Sequence, residues 1–308
     1  MKLADHLGRV LVEAAHHDKR IFVLDGDLAD SDGAVHFAQA LPDRFLMAGI
    51  AEQSMVSVAA GMAECGLRPF VFSFAAFLCY RAYDQIRIGL SQCQQPVTLV
   101  GSHAGGLAAR NGKTHAAPND LALMLSLPHM QVWAPADRAD VELAVRHSLL
   151  YEHPCYIRLP RRPITQAEHL AGMAAGMRWL LPPRQLSMAS TGLGTRWALE
   201  AAAQLRSQGI QVGLLHCPFV SQPAAIAREL SSAGVAHTVV IEDHCTLGGL
   251  ASLLAHAQPG MPLTSLGWPT QYSGKSGSDD DLREAHGLCA AALARSIAAI
   301  GIRTPVHP

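Results

Sequence analysis

Short apolar runs separated by helix-length segments recur along the whole chain, and this alternation narrows the possible folds most. Residues 3–17 repeat apolar side chains at helical spacing, and residues 21–24 (IFVL) form an apolar strand closed by Asp25-Gly26-Asp27. The same pattern predicts helices over 52–64, 78–93, 117–127 and 139–150, with strands over 70–72, 97–100, 131–134 and 155–159. Apolar strands alternating with helices of about 10–15 residues imply a mostly parallel sheet covered on both faces. Pro160-Arg161-Arg162-Pro163 and Leu181-Pro182-Pro183 then bracket a segment of weak periodicity. The pattern restarts with strands over 185–189, 212–215, 237–241 and 263–266 and helices over 195–208, 223–233, 247–256 and 285–300. The expected architecture is α/β: two open, mostly parallel sheet domains with helices on both faces. Residues 1–160 form the first, 161–184 a linker and 185–308 the second. A length of 308 residues agrees with this, since a domain takes roughly 150.

Charge and composition remove several function classes. Lys+Arg is 24 and Asp+Glu 25, a net charge of -1, so no field is present to hold nucleic acid by its phosphates. The longest apolar-looking run, 69–80, is of core length; a spanning helix needs about 20 such residues. The N-terminus reads as an amphipathic helix and not as a signal peptide, so a cytoplasmic location is expected. The seven Cys are widely spaced without a CxxC, which suits reduced, mostly buried thiols. The 16 His lack HExxH or paired metal spacing, so no metal site is expected in this chain.

Ligands in open parallel sheets lie beyond the carboxyl ends of the strands. That rule selects 26–33, 48–53, 101–115 and 160–162. Within Gly49-Ile50-Ala51-Glu52-Gln53, Glu52 stands at a strand-to-helix junction. Its bland role is to complement a helix N-terminus. Beside Gly49 and Ala51, and before an apolar helix, it is also placed for partial desolvation and proton sharing with a ligand nitrogen. Phe74, Phe77 and Tyr80 recur every third residue, a spacing that suits a core stripe. In a chain of 6% aromatics, three of the 8 Phe fall within 72–77, which also suits a surface for stacking a flat ring. The charges of residues 81–85 suit a helix–helix contact, with Arg81 and Asp84 at i,i+3. Gly248-Gly249 is expected to serve close packing at a helix start, and Asp27 and Asp30 to face a partner or a ligand rim.

GIAEQ, then AAGMAECGLRPFVFSFAAFLCYRAYDQIR, then GSHAGGLAARNGKTHAAPNDLALMLSLPHMQVWAPAD, with IEDHCTLGGL later, together resemble the C-terminal half of transketolases over nearly the whole chain. Four ordered motifs are a specific signal, unlike one glycine motif. The resemblance implies a thiamine-diphosphate-dependent enzyme with a pyrimidine-binding domain followed by a transketolase-type C-terminal domain. By resemblance, Glu52 contacts N1′ of the cofactor aminopyrimidine and activates it, Phe77 stacks on that ring, and Phe74 and Tyr80 line its pocket. His103 and His115 face the substrate channel, and Arg161 binds a substrate phosphate. The bland readings stay open beside these: His103 as a loop cap, Arg161 and Arg162 as solvated linker charges. The implied reaction moves a two-carbon ketol unit from a ketose phosphate to an aldehyde.

The family also needs a Gly-Asp-Gly…Asn site that holds a divalent metal, Mg, and the diphosphate. Here Leu28 follows Gly26-Asp27, and the only Asn residues are Asn111 and Asn119. The resemblance therefore implies a split enzyme. An N-terminal-half partner would carry the diphosphate and metal, in an α2β2 heterotetramer with sites at subunit interfaces. Transketolases carry Glu-Asp-Gly-Pro-Thr-His where residues 110–115 read Arg-Asn-Gly-Lys-Thr-His. Asn111 replaces the Asp that meets a donor hydroxyl, and Arg110 and Lys113 add positive charge, which points to a more anionic or differently hydroxylated sugar. Rival readings are the β subunit of a 2-oxoacid dehydrogenase, a deoxyxylulose-phosphate-synthase-like enzyme and a non-catalytic scaffold subunit. The two channel histidines favour ketol transfer over the dehydrogenase.

Overall fold

The computed structural model describes residues 2–107, 112–161, 176–271 and 276–300. Helix α1 (Leu3–His17) buries Leu3, Leu7, Leu11 and Ala15, one face at helical spacing. It leads into strand β1 (Ile21–Asp25), the short helices α2 (Ala29–Asp32) and α3 (Val35–Ala40), and strand β2 (Phe45–Met47). Next come α4 (Glu52–Glu64) and β3 (Arg68–Phe74). Then follows an interrupted helical stretch: a wide turn over Phe77–Arg81, α5 (Tyr83–Gln85) and a second wide turn over Ile86–Gln92. Strand β4 (Thr98–Ser102), α6 (Asp120–Leu125), β5 (Gln131–Trp133), α7 (Arg138–Leu150) and β6 (Cys155–Arg158) complete the first unit.

The six strands form one parallel sheet in the order β2-β1-β3-β4-β6-β5. Every residue of β3, β4 and β6 is buried, because helices cover both faces. The chain winds outward in opposite directions from β1 and β3. The switch point, where such sheets open a crevice, therefore lies between those strands.

The second sheet is built from β7 (Arg178–Leu181), β8 (Leu186–Thr191), β9 (Gly213–His216), β10 (His237–Cys245) and β11 (Leu263–Trp268). Their order is β11-β10-β8-β9-β7, parallel except for β7, which runs antiparallel to β9. Helices α8 (Gly194–Ser207), α9 (Pro223–Ser232), α10 (Leu250–Ala257), α11 (Asp279–Ala285) and α12 (Ala290–Ala298) pack around it. The two sheets share one buried cluster, with Leu24, Val71 and Leu99 from the first and Ala189, Leu215 and Val240 from the second. Backbone bonds Ala134 N–H to Pro218 O (2.7 Å) and Val220 N–H to Val132 O (2.9 Å) stitch them together.

Several local expectations need correction. The helix expected over 78–93 breaks at Ala82, whose ψ of 15° leaves the helical region. The helix expected over 285–300 is shorter, α12, and Gly287 at φ +69 parts it from α11, which was not expected. Strand β7 falls inside the segment read as a linker. Cys65 and Cys93 are exposed, against four buried cysteines. Gly248-Gly249 does serve close packing: a Cβ on Gly248 would press on Ala122, and one on Gly249 on Glu242 and His244. Among the described residues, no helix is long and apolar enough to cross a membrane.

Candidate active site

Glu52 is the first residue of α4, at the mouth of the crevice. Gly49, at φ +74, turns the chain into the helix and has open space where a Cβ would stand. The Glu52 carboxylate is 1% exposed, and Arg81 Nη1 donates to its Oε2 at 2.7 Å. Ser73 Oγ, from β3, approaches its Oε1 at 3.5 Å. A buried carboxylate left unpaired is costly, and Arg81 is the cation that answers it. Of the charges expected to serve a helix–helix contact, Arg81 does reach another helix, at Glu52 of α4, and does so without Asp84. The break at Ala82 takes the two out of helical register, and Asp84 pairs instead with Arg87 at 2.7 Å. Arg81 is itself 44% exposed, so the partner of the buried acid stands at the solvent edge.

The aromatic residues lie directly against this pair. The Arg81 guanidinium sits 4.7 Å from the centre of the Phe77 ring. Phe77 stacks with Phe74, centroids 5.7 Å apart and 17° between planes. His103 packs on Phe74 at 4.0 Å, and His115 stands edge-on to Phe77 at 5.1 Å. Glu52, Phe74, Phe77, His103 and His115 therefore converge. Tyr80 stands apart: its ring is exposed and its hydroxyl donates to Asn119 Oδ1. Arg161 is half-buried and acts on His103 as a nearby positive charge. Asn111 and Arg110 lie outside the described residues, as does Arg162.

The electrostatics of His103 follow from its surroundings. Burial pushes its pKa down to about 4, and the positive charges of Arg161, Lys2 and His115 add to the effect. At neutral pH it is an uncharged imidazole, able to accept or donate one proton. Its φ of +53 is a left-handed conformation that costs a non-glycine residue on the order of 1 kcal/mol. Ser102 Oγ lies 3.2 Å from Nδ1. His115 Nδ1 has Thr114 Oγ1 at 2.9 Å.

Sequence reasoning did not find Lys2, Ser73 or the Glu52 role of Arg81, since all three act across long chain separations. It singled out Asp27 and Asp30, which are exposed. The buried acids of that loop are Asp25 and Asp32, each with an unpartnered Oδ2. Among the described residues, no group of three or more His, Cys, Asp or Glu is placed to hold a metal ion.

A model of the transketolase pyrimidine-binding domain matches residues 1–166. The chain belongs to the transketolase family. It is 33% identical over 311 residues to the 6-deoxy-6-sulfo-D-fructose transketolase subunit of Clostridium sp. (strain MSTE9), covering 96% of this chain and 95% of that protein. It is 32% identical over 298 residues to a transketolase C-terminal section of Methanocaldococcus jannaschii, covering 94% and 93%. A solved split-gene transketolase, described as an inactive β4 tetramer, superposes with a TM-score of 0.86 at 30% identity, covering 97% and 98%. This transketolase-family chain thus matches homologous split subunits over more than nine-tenths of each. Those subunits imply an N-terminal-half partner, and the pyrimidine-binding domain implies a thiamine-diphosphate-dependent family.

Proposed function

We propose that this chain is the pyrimidine-binding, C-terminal-section subunit of a split transketolase, moving a two-carbon ketol unit from a ketose to an aldehyde. The observation that carries the reading is Glu52: a buried carboxylate at the switch-point crevice, bordered by the Phe74–Phe77 pair and two histidines. These residues fit the aminopyrimidine end of thiamine diphosphate. An acid in a dry site shares a proton with a ring nitrogen, an aromatic face receives a flat heterocycle, and the space beside Gly49 is open. When bound, that cofactor supplies the carbon nucleophile that accepts the two-carbon unit.

The protein's own residues then have distinct tasks. Glu52 would hold the ring nitrogen of the cofactor through a hydrogen bond at its carboxylate, the contact that sets the protonation of that ring. To do so it exchanges the Arg81 contact at Oε2 for the ligand, and Arg81, at the exposed edge, is free to swing aside. Phe77 supports the ring and Phe74 backs Phe77. His103, uncharged at neutral pH, and His115 hydrogen-bond substrate hydroxyls and relay protons between them and solvent. Tyr80, on the exposed side, borders the pocket rather than its floor. Arg161 receives an anionic group, where its fork matches phosphate or sulfonate oxygens.

The N-terminal-half partner carries the diphosphate and its Mg ion, and two copies of each chain form an α2β2 heterotetramer. An exposed apolar surface beside the site supports this. Ile50 is 75% exposed, and Leu46, Met47 and Val58 are each nearly half exposed on β2 and α4. The β4 tetramer described as inactive agrees with a chain that needs its partner. The substrate is an anionic sugar, a phosphate or a sulfonate. The positive surroundings of His103, the charges of Arg110 and Lys113, and the sulfo-sugar named for the Clostridium relative all favour that class. Asn111 would meet a donor hydroxyl.

Reconstitution tests the reading. This chain, mixed with an N-terminal-half subunit, thiamine diphosphate and Mg, is expected to transfer a two-carbon unit from a ketose phosphate or sulfonate. Neither chain alone should turn over. A mixture that assembles, binds the cofactor and transfers from no anionic ketose would overturn it.

A further inference from the structure

The loops that carry His103 and His115 are held by the second sheet. The 103–107 loop leaves β4 and crosses to β10, where Gly106 N–H donates to Asp243 Oδ1 at 3.1 Å. Trp268, at the end of β11, donates from its indole Nε1 to the same oxygen at 2.6 Å. The fit admits no side chain. A Cβ on Gly105, which sits at φ +83, would collide with the Asp243 carboxylate, and one on Gly106 would collide with the Trp268 indole. Leu107 is buried in the second sheet's core.

The segment that follows His115 is tied to the same place. Cys245 N–H donates to Pro118 O at 2.6 Å, and Ala122 N–H to His244 Nε2 at 3.2 Å. Arg158, at the end of β6, closes the ring. Its Nε donates to both oxygens of Asp120, at 3.0 and 2.8 Å. Its Nη2 donates to Asp243 O and stands 3.8 Å from Asp243 Oδ2. Ala117 N–H donates to Gly105 O at 2.8 Å, joining the two loops directly.

We propose that Asp243, acting from the second sheet through Gly106 and Trp268, is a positioning residue that sets where His103 and His115 stand in the site. The tip of β10 touches both loops at once, so its placement fixes the spacing of the two histidines. Glu52 and Phe77 are set by other elements, α4 and the turn after β3. The C-terminal domain thereby has a task in the site. This inference rests on the reading of His103 and His115 as channel residues.

The test uses the assembled two-subunit enzyme for kinetics and the full chain for NMR of the histidine rings. Asp243→Asn keeps the shape and removes the charge. Trp268→Phe keeps the bulk and removes one donor, and serves if Asp243→Asn does not fold. His216→Asn weakens another contact between the same sheets and is the control. Asp243→Asn and Trp268→Phe are expected to shift the ring signals of His103 and His115. They should lower kcat by about tenfold to a hundredfold, as small misplacements do, with thiamine diphosphate affinity unchanged. His216→Asn is expected to lower Tm and leave both ring signals and kcat in place. Ring signals that stay at wild-type positions in both test variants, or that move equally in the control, would overturn the proposal. Ring signals that move with kcat unchanged would uphold the positioning and overturn the channel reading of the histidines.

Discussion

Two buried ion networks join the same pair of sheets, and they are built on opposite principles. In one, Asp140 on α7 receives His216 Nε2 at 2.8 Å and Arg178 Nη1 at 2.5 Å, while Arg178 Nη2 reaches Asp137 at 2.7 Å. Thr195 Oγ1 meets His216 Nδ1 at 2.8 Å, and Ser190 donates to Thr195 at 2.9 Å. Asp137 and Asp140 also form the capping box of α7. Burial alone would raise Asp140, but His216 and then Arg178 outweigh it and hold the carboxyl well below its ordinary range. In the other network, Arg158 answers two carboxyls, Asp120 and Asp243, with Glu242 close by. Burial pushes Asp243 up to about 6 and Glu242 up to about 7, and Asp243 Oδ2 has no hydrogen-bond partner. The balanced network ends on the cap of a helix and serves stability. The acid-rich one ends on the two histidine loops, where stability is given up for placement.

That contrast is broken most severely at Arg158. Arg158→Met leaves Asp120 buried without its cation, and chemical denaturation is expected to show a loss of about 4–5 kcal/mol. A loss under about 1 kcal/mol would mean that Asp120 is compensated elsewhere. Asp140→Asn removes the carboxylate shared by Arg178 and His216 and is expected to cost about 3 kcal/mol at pH 7. Because the folded-state pKa of Asp140 is depressed, its stabilisation is present above 3.8 and fades as pH falls below that value. The gap between variant and wild type should therefore close in acid.

Glu242→Gln should behave in the opposite way. Glu242 accepts from Leu250 N–H at 2.8 Å, which Gln can still do. Its folded-state pKa is raised, so the unfolded chain ionises first and stability is lost between about 4.5 and 7. The substitution is expected to add on the order of 1–3 kcal/mol at pH 8 and nothing at pH 4. Equal pH dependence in the Asp140 and Glu242 variants would contradict the comparison. An effect of the same sign is expected at the buried acid pair Asp25–Asp32. Burial, and then Asp25, raise Asp32. Asp32→Asn should raise stability at pH 8 by at least as much as Glu242→Gln, with the gain vanishing near pH 4 in chemical denaturation.

Most of the fold was legible because parallel strands buried on both faces must read as apolar runs. The parts that were not legible are short or irregular. Strand β2 has three residues, two of them exposed, so its pattern carries no period. Strand β7 hides in a proline-bordered segment and is recognisable only from its pairing with β9. At the site, Glu52, Phe77, His103 and His115 stood out through local strings. The Glu52–Arg81 ion pair and the grip of Asp243 on Gly106 did not, because they join residues 29 and 137 positions apart. Tertiary contact of that range leaves no periodic trace.

The central claim is most directly tested by turnover of Glu52→Gln in the assembled enzyme, with partner, thiamine diphosphate and Mg present. The account predicts that assembly and cofactor binding survive while kcat for two-carbon transfer falls by about a hundredfold or more, the scale of a lost general acid–base group. Turnover equal to that of the wild type in the Glu52→Gln enzyme would contradict it.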